Sequence, residues 1–234
     1  MNTHKLLLIV VLAIPFYFLY AQSTPFPTSK TFDLAPFHSL AVASSFNTKI
    51  SYGNVQEVTV EGNAALIEKL DVQVKNGILT LKMKRGNYNN IDLKFTIVMP
   101  TLKEAQLLGS GNIDIGEFKQ LEHLKLTLAG SGNIKSSAQL NIQGQLSASI
   151  AGSGNICLNG AAGSADISIA GSGDCKMKNF VTDQSKIAIS GSGAVNIHAK
   201  RHLTVNISGS GDVRYNGQPK IKQQIQGSGS VSAL

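Results

Sequence analysis

The sequence contains no tryptophan and only two cysteines, and charged residues make up 15% of its 234 positions. Low charge combined with 23 glycines is typical of many short strands joined by tight turns. A disordered chain is excluded, because apolar residues form 42% of the sequence and are spread along it. The net charge is +7, but the basic residues are scattered and lack interleaved aromatics, so the sequence predicts no nucleic-acid partner.

Residues 1–21 have the layout of a secretory signal peptide. A short basic start at Met1 to Lys5 precedes an apolar run from Leu6 to Tyr20, and Ala21 offers a small residue for cleavage. The run is shorter than the ~20 residues that a membrane-spanning helix needs, and Pro15 interrupts it. We therefore expect an exported protein, periplasmic, secreted or at the cell surface, with no membrane span once the signal peptide is removed.

The triplet Gly-Ser-Gly recurs seven times, at intervals of 18 to 22 residues, and such a period is the mark of stacked structural units. A sharp corner requires positive φ or close backbone approach, which glycine accepts at low cost. We therefore predict a structural corner role, and no ligand-binding role, for the glycines of these triplets. They are Gly109, Gly111, Gly130, Gly132, Gly152, Gly154, Gly171, Gly173, Gly191, Gly193, Gly209, Gly211, Gly227 and Gly229.

Apolar residues keep fixed positions around every triplet. Two residues before it stand Leu107, Leu128, Ile150, Ile169, Ile189, Ile207 and Ile225, and four residues after its first glycine stand Ile113, Ile134, Ile156, Cys175, Val195, Val213 and Val231. Polar residues alternate with them, which is the pattern of strands with one buried face. Each unit needs its neighbours to bury that face. The sequence thus predicts an all-β fold, a parallel β-solenoid of about seven rungs over residues 105–234.

The part of the chain before the repeats has a different pattern. Residues 22–31, with two prolines, are expected to be a flexible leader. Residues 32–104 are predicted to form a β-rich part that packs on or continues the solenoid. Within it, Asn76 and Gly77 lie between two strand-like runs and predict a tight hairpin. Ala64 to Leu70 is compatible with one or two helical turns.

Asparagine or aspartate often follows the triplet, as at Asn112, Asn133, Asn155, Asp174 and Asp212. These side chains tolerate left-handed backbone and can stack into a ladder from rung to rung. Calcium binding is the alternative, as in other repeats with glycine- and aspartate-rich corners. It needs an acidic residue in most repeats, whereas here the position is mostly asparagine. We therefore expect no metal and no cofactor.

The two cysteines are predicted to stay unpaired. Cys175 falls in an inward column, and Cys157 falls one step beyond the same column of the previous rung, facing outward. Side chains that face opposite ways cannot form a disulfide without backbone movement. Cys175 is therefore interpreted as a small core residue.

Many parallel β-helices are carbohydrate-active enzymes, and this alternative needs clustered carboxylates. Asp174 and Asp212 share a column but lie two rungs apart, about 10 Å at the usual strand spacing. His123, His198 and His202 are the remaining candidates, and the spacing of the last two would suit a metal pair only on a helix. The sequence predicts no catalytic residues and favours a protein that is not an enzyme.

Three stretches resemble the head GIN domain family of auto-transporter adhesins, envelope proteins of Bacteroidetes-type bacteria. They are Phe37 to Ile50 with Val58 to Gly62, the Asn76 to Leu79 turn and strand, and Val98 to Pro100 with Leu102 running into the first Gly-Ser-Gly. The resemblance covers residues 32–234. It implies a pectin-lyase-like β-helix and a role in cell adhesion, and it implies no catalytic residue.

The expected function is therefore that of an exported, non-catalytic adhesin-like or scaffold protein of the bacterial cell envelope. Its partner would be a surface ligand, either a glycan or an envelope protein, that the sequence does not identify. A carbohydrate-active enzyme and a periplasmic envelope-signalling component are the alternatives. The last rung carries an apolar Val231 and no polar cap, so homo-oligomerisation through this open solenoid end is also expected.

Overall fold

A computed structural model describes residues 28–118 and 120–234, so the predicted signal peptide and residues 22–27 lie outside the described residues. The described residues form one 17-stranded sheet and one short helix, α1. The strands are β1 (Thr28–Phe32), β2 (Ser39–Ala43), β3 (Asn47–Tyr52), β4 (Glu57–Gly62), β5 (Leu70–Lys75), β6 (Ile78–Met83), β7 (Leu93–Met99), β8 (Glu104–Leu108), β9 (Asn112–Ile115), β10 (Leu124–Gly130), β11 (Asn133–Gly152), β12 (Asn155–Gly171), β13 (Asp174–Gly191), β14 (Ala194–Gly209), β15 (Asp212–Asn216), β16 (Lys220–Gly227) and β17 (Ser230–Ala233), and α1 is Ala64–Ile67. Within the described ranges, no helix is long and apolar enough to cross a membrane.

The strands stack in parallel into a β-solenoid of about six turns, which confirms the predicted fold class with a slightly smaller number of rungs. The apolar columns lie in register, since Leu128 pairs with Ile150, Ile150 with Ile169 and Ile169 with Ile189. The side chains of these columns are at most 2% exposed up to Ile207 and Val213. Continuous aliphatic ladders therefore form the core, as their alternation in the sequence predicts.

The Gly-Ser-Gly triplets lie at the same corner of each rung from β8 and β9 onward, where the backbones of successive rungs touch. The carbonyl oxygen of Gly130 accepts hydrogen bonds from the backbone N–H groups of Ser153 and Gly154, each at 3.1 Å. Gly152 has φ +130°, and a Cβ atom added to it would lie 2.5 Å from the oxygen of Gly130. A Cβ added to Gly154, which has no positive φ, would lie 2.2 Å from the oxygen of Gly132. In this triplet the first glycine thus meets both a conformational and a steric requirement, and the second meets a steric one.

Away from the triplet corner, the turns of each rung are less regular. Between β11 and β12 the register shifts twice, between Lys135 and Gln139 and between Ile142 and Gln145, which divides the rung into three straight segments. Gly160 and Gly217 lie at these turns with φ +136° and +99°. These shifts make the rungs unequal in length, which accounts for the variable spacing of the triplets.

The N-terminal part continues the solenoid, but its rungs do not follow chain order. Strand β2 lies between β6 and β8, and β3 lies between β7 and β9, all in parallel. The corner between β2 and β3 is Ser44 to Phe46, stacked on the first triplet, and the N–H of Asn112 donates to the oxygen of Phe46 at 2.9 Å. The parallel stack therefore begins well before residue 105.

Antiparallel strands cover the other end of this N-terminal stack. Strand β4 pairs with β7 and β1, and β5 pairs with β6 through the predicted hairpin, in which Asn76 and Gly77 have φ 52° and 72°. The prediction of a flexible leader to residue 31 is wrong for Thr28 to Thr31, because they belong to β1 and pair with Thr59 to Gly62. Across this pairing the hydroxyls of Thr31 and Thr59 lie 3.2 Å apart, and such cross-strand pairs stabilise a sheet.

The last rung, β16 with β17, is the least buried. Ile221 and Leu234 are 42% and 51% exposed, and Ile225 and Val231 are only partly buried. Gln223 occupies the inward column that Val205 fills in the preceding rung. Association of two copies through this end stays a prediction.

Candidate functional site

A cleft of about 750 Å³ crosses the outer face of the solenoid near its N-terminal rungs. It runs across β7, β3, β9, β11, β12 and β13, in the order in which these strands pair. The residues that line it are Asn47, Thr48, Lys49, Glu61, Lys94, Phe95, Thr96, Asn112, Asp114, Asn133, Lys135, Asn155, Cys157 and Lys176. The cleft therefore combines residues from distant parts of the chain on one continuous sheet.

Strand alternation places two outward columns along the cleft, because every second side chain of a strand faces solvent. One column contains Asn47, Asn112, Asn133, Asn155 and Asp174 in register. The other, two residues further along each strand, contains Lys49, Asp114, Lys135, Cys157 and Lys176. The inward residues between the columns belong to the core, and Thr48 is the polar residue among them.

The asparagine column forms a hydrogen-bonded ladder. The side-chain amide of Asn155 donates to Oδ1 of Asn133 at 3.0 Å, Asn133 donates to Asn112 at 3.0 Å, and Asn112 donates to Asn47 at 2.8 Å. Beyond it, Oδ1 of Asp174 accepts from the N–H of Ala194 at 3.1 Å. The predicted stacking of these residues is thus observed over four asparagines, one of which, Asn47, precedes the first triplet.

The second column, from Lys49 to Lys176, is called the lysine column here, and two of its lysines form ion pairs with carboxylates. Lys135 Nζ lies 3.3 Å from Oδ2 of Asp114, and Lys176 Nζ lies 3.6 Å from Oδ2 of Asp174. Both lysine side chains are more than half exposed, so these pairs add little to stability. The second oxygen of Asp114, Oδ1, is buried and has no hydrogen-bond partner within the described residues.

The two cysteines face opposite sides of the same sheet, and both are free thiols, as predicted. Cys157 lines the cleft and is partly buried; burial raises its pKa, and the charge of Asp174 adds to this, while Lys176 opposes it. Cys175 is fully buried, and burial is the main reason that its pKa rises to about 12. A raised pKa leaves the thiol protonated at neutral pH, so neither sulfur is an activated nucleophile.

The acidic and histidine residues that the sequence analysis considered for catalysis or metal binding do not gather in the cleft. Asp174 and Asp212 lie two rungs apart with Ala194 between them, as predicted. His123 lies at one of the less regular turns, where its Nδ1 accepts from the N–H of Gln145 at 3.1 Å, and His198 and His202 pair with different residues of β13. In residues 28–118 and 120–234, no group of three or more His, Cys, Asp or Glu side chains is placed to hold a metal ion.

Sequence reasoning missed the contribution of β3 and β7 to this site. Asn47, Lys49 and Lys94 look like scattered polar residues in the sequence, whereas the structure aligns them with the asparagine and lysine columns. A signal was present, because Ser44 to Thr48 matches the first repeat from Gly109 to Ile113 in its serine and asparagine positions. The lysines, however, have no local motif.

The arrangement provides hydrogen-bond donors, acceptors and positive charge on a rigid surface. Four lysines and two carboxylates line the cleft, which gives it a net positive charge. Clefts with one predominant sign of charge concentrate ligands of the opposite sign. Chemically, this site is suited to holding a polar, negatively charged ligand.

Solved structures with the same fold include proteins from Bacteroides and Parabacteroides species. A "putative adhesin" from Bacteroides fragilis NCTC 9343 is 21% identical with a TM-score of 0.81, over 90% of this chain and 98% of that one. A "putative lipid binding protein" from Parabacteroides distasonis ATCC 8503 is 25% identical with a TM-score of 0.70, over 90% and 98%. A "putative adhesin" from Parabacteroides merdae ATCC 43184 is 20% identical with a TM-score of 0.68, over 90% and 97%. No curated protein sequence matches this chain.

The family model described as "Putative auto-transporter adhesin, head GIN domain" matches residues 36–219. This range contains every strand that contributes to the cleft. The chain belongs to the head GIN domain family that this model describes.

Proposed function

We propose that this protein is an exported, non-catalytic, adhesin-like protein of the bacterial cell envelope that acts by binding a ligand at its surface. The observation that carries the proposal is the cleft, in which polar and charged side chains repeat on consecutive strands of a rigid sheet. Preorganised side chains on a rigid element lose little entropy on binding. Membership of the adhesin family supports the same function.

The signal peptide predicted over residues 1–21 supports export. We propose display on the cell surface, where an adhesin meets its ligand. Protease treatment of intact cells tests this: the protein should be degraded while a periplasmic marker protein survives. Protection in intact cells and degradation only after lysis would instead favour a periplasmic scaffold or signalling component.

The non-catalytic part of the proposal requires a separate assay. Beads coated with the mature protein should be retained on a polysaccharide-coated surface. The chain length of that polysaccharide, measured by gel filtration, should not change during prolonged incubation. New reducing ends that appear in proportion to protein concentration would show turnover and would contradict the proposal.

One structural neighbour suggests a second class of ligand. The protein from Parabacteroides distasonis carries the description of a lipid-binding protein and is 25% identical to this chain. The lysines of the cleft would allow contact with anionic headgroups. Vesicle binding therefore belongs in any ligand survey of this protein.

A further inference from the structure

One end of the cleft is lined by two lysines and one carboxylate, Glu61, which is in register with Lys94 on the neighbouring strand β4. Lys49 and Lys94 are exposed and line the cleft, and within residues 28–118 and 120–234 neither takes part in an ion pair, unlike Lys135 and Lys176. Lys94 is in register with Asn47, and Lys49 lies two residues after Asn47 on the same strand. Two available ammonium groups therefore flank the same asparagine.

The asparagine ladder is polarised toward those lysines. Each amide donates to the next one in the direction of Asn47, so the carboxamide dipoles point the same way. A side-chain amide has two N–H donors, and Asn47 uses neither in the ladder, because it only accepts. Aligned hydrogen bonds polarise one another, so the donor end of the ladder adds to the positive potential of Lys49 and Lys94.

The cleft also contains a buried acceptor. Among residues 28–118 and 120–234, no donor reaches Oδ1 of Asp114, which lies between Lys49 and Lys135 in the same column. The Lys135 side chain is 57% exposed and can turn outward toward an anionic group of a ligand. Once Lys135 has turned outward, a ligand hydroxyl can enter beside Asp114 and donate to its Oδ1. Without that donor, Oδ1 carries the free-energy penalty of a buried unpaired acceptor.

A ligand that matches these features carries both negative charges and hydroxyl groups, repeated along a line. We propose that the cleft binds an acidic glycan, a chain of sugars with carboxylate or sulfate groups, laid along the solenoid axis across the strands. This rests on the proposed function as a non-catalytic binding protein. The negatively charged groups contact Lys49, Lys94 and the donor end of the ladder at Asn47, and sugar hydroxyls donate to Asp114.

The shape of the site favours a glycan over a membrane surface. From Lys94 on β7 to Lys176 on β13 the cleft crosses six strands, about 24 Å at ~4.8 Å per strand. A linear chain can follow this length and repeat its contacts on successive strands. A flat bilayer would contact only the rim of a concave site and could not lay a row of headgroups along its floor.

Isothermal titration of the mature protein with size-fractionated oligogalacturonate tests the proposal. We expect binding that weakens as salt is raised, and no binding of neutral dextran of similar length. The double variant K49Q/K94Q should lose affinity by about tenfold or more, because both available ammonium groups are removed. The matched control K186Q/K222Q removes the same charge from exposed positions of β13 and β16 outside the cleft and should bind as the parent does.

Dextran sulfate and phosphatidylglycerol vesicles complete the comparison. Binding of dextran sulfate in place of oligogalacturonate, with the same sensitivity to K49Q/K94Q, would support the proposal and assign sulfate as the preferred group. Equal loss in both double variants, binding of neither acidic glycan, or binding of vesicles alone would overturn it. Unchanged thermal unfolding of the variants excludes misfolding. Cleavage of the glycan would contradict the non-catalytic function, whereas adhesion without acidic-glycan binding would contradict this inference only.

Discussion

The side-chain amide of Asn133 donates to Oδ1 of Asn112 at 3.0 Å, across neighbouring rungs of the solenoid. The Oδ1 oxygen of the same Asn133 side chain accepts from the side-chain amide of Asn155, also at 3.0 Å. Asn133 is therefore a central member of a ladder that joins four strands along the candidate binding cleft. This relationship connects the stability of the stack with the polarity of the site.

Replacing Asn133 by alanine should break the ladder at its centre. Two hydrogen bonds are lost from a half-buried position, and we expect a decrease of about 1–2 kcal/mol in the free energy of unfolding. Urea denaturation of the mature protein measures it. Asn206→Ala is the control, because Asn206 is exposed on β14 outside the ladder, and it should change stability far less. Equal effects of both substitutions would show that the ladder has no special role.

Gly152→Val should destabilise the protein by about 1–3 kcal/mol or more through backbone strain. The φ of +130° is unfavourable for valine, and its Cβ would approach the carbonyl oxygen of Gly130 to 2.5 Å. Thermal unfolding is the measurement. The adjacent Ala151 is exposed on the strand and accepts valine without either problem, so Ala151→Val serves as the control. An unchanged melting temperature for Gly152→Val would refute the steric role that we propose for the corner glycines.

Thr48→Val should stabilise the protein. Thr48 is 3% exposed in a column otherwise filled by apolar side chains such as Phe95 and Ile113, and its hydroxyl has no partner in the described part of the chain. Valine keeps the shape and removes the unpaired polar atom, for a gain of about 1 kcal/mol. Thr204→Val, at a half-buried outward position of β14, should have little effect. A loss of stability in Thr48→Val would mean that the hydroxyl has a partner in solution.

The buried thiol of Cys175 should make unfolding dependent on alkaline pH. Burial raises its pKa from an ordinary value near 9 to about 12, so the folded state holds a proton that the unfolded state releases. Its contribution is fully present below pH 9 and is lost as pH rises toward 12, at up to about 1.4 kcal/mol per pH unit. Cys175→Val should remove this part of the pH dependence. Identical slopes for the two proteins between pH 9 and 11 would contradict the burial of the thiol.

Much of the solenoid could be predicted because its information is local and repeated. The column from Leu107 to Ile225 can be aligned on the triplets without knowing which strands pair. The position of β2 and β3 could not be predicted, because a corner at Ser44 to Phe46 replaces the triplet. The rung that these strands form also inserts between strands that come later in the chain. That order depends on long-range pairing, which leaves no periodic signal.

The candidate site was predictable only in part, for the same reason. Asn112, Asn133 and Asn155 follow triplets, and their stacking is visible in the sequence. Lys49 and Lys94 join them only through the pairing of β3 with β7 and β9. Scattered lysines in a sequence therefore say little about charge density on a folded sheet, where residues distant in sequence become neighbours about 5 Å apart.

Lysine acetylation in the presence and absence of oligogalacturonate tests the central claim most directly, because it locates the ligand on the native protein. Mass spectrometry should show that the ligand slows acetylation of Lys49 and Lys94 selectively and leaves exposed Lys186 and Lys222 at their original rates. Protection spread equally over all exposed lysines, or confined to the last rung around Lys220, would contradict a binding site in the cleft.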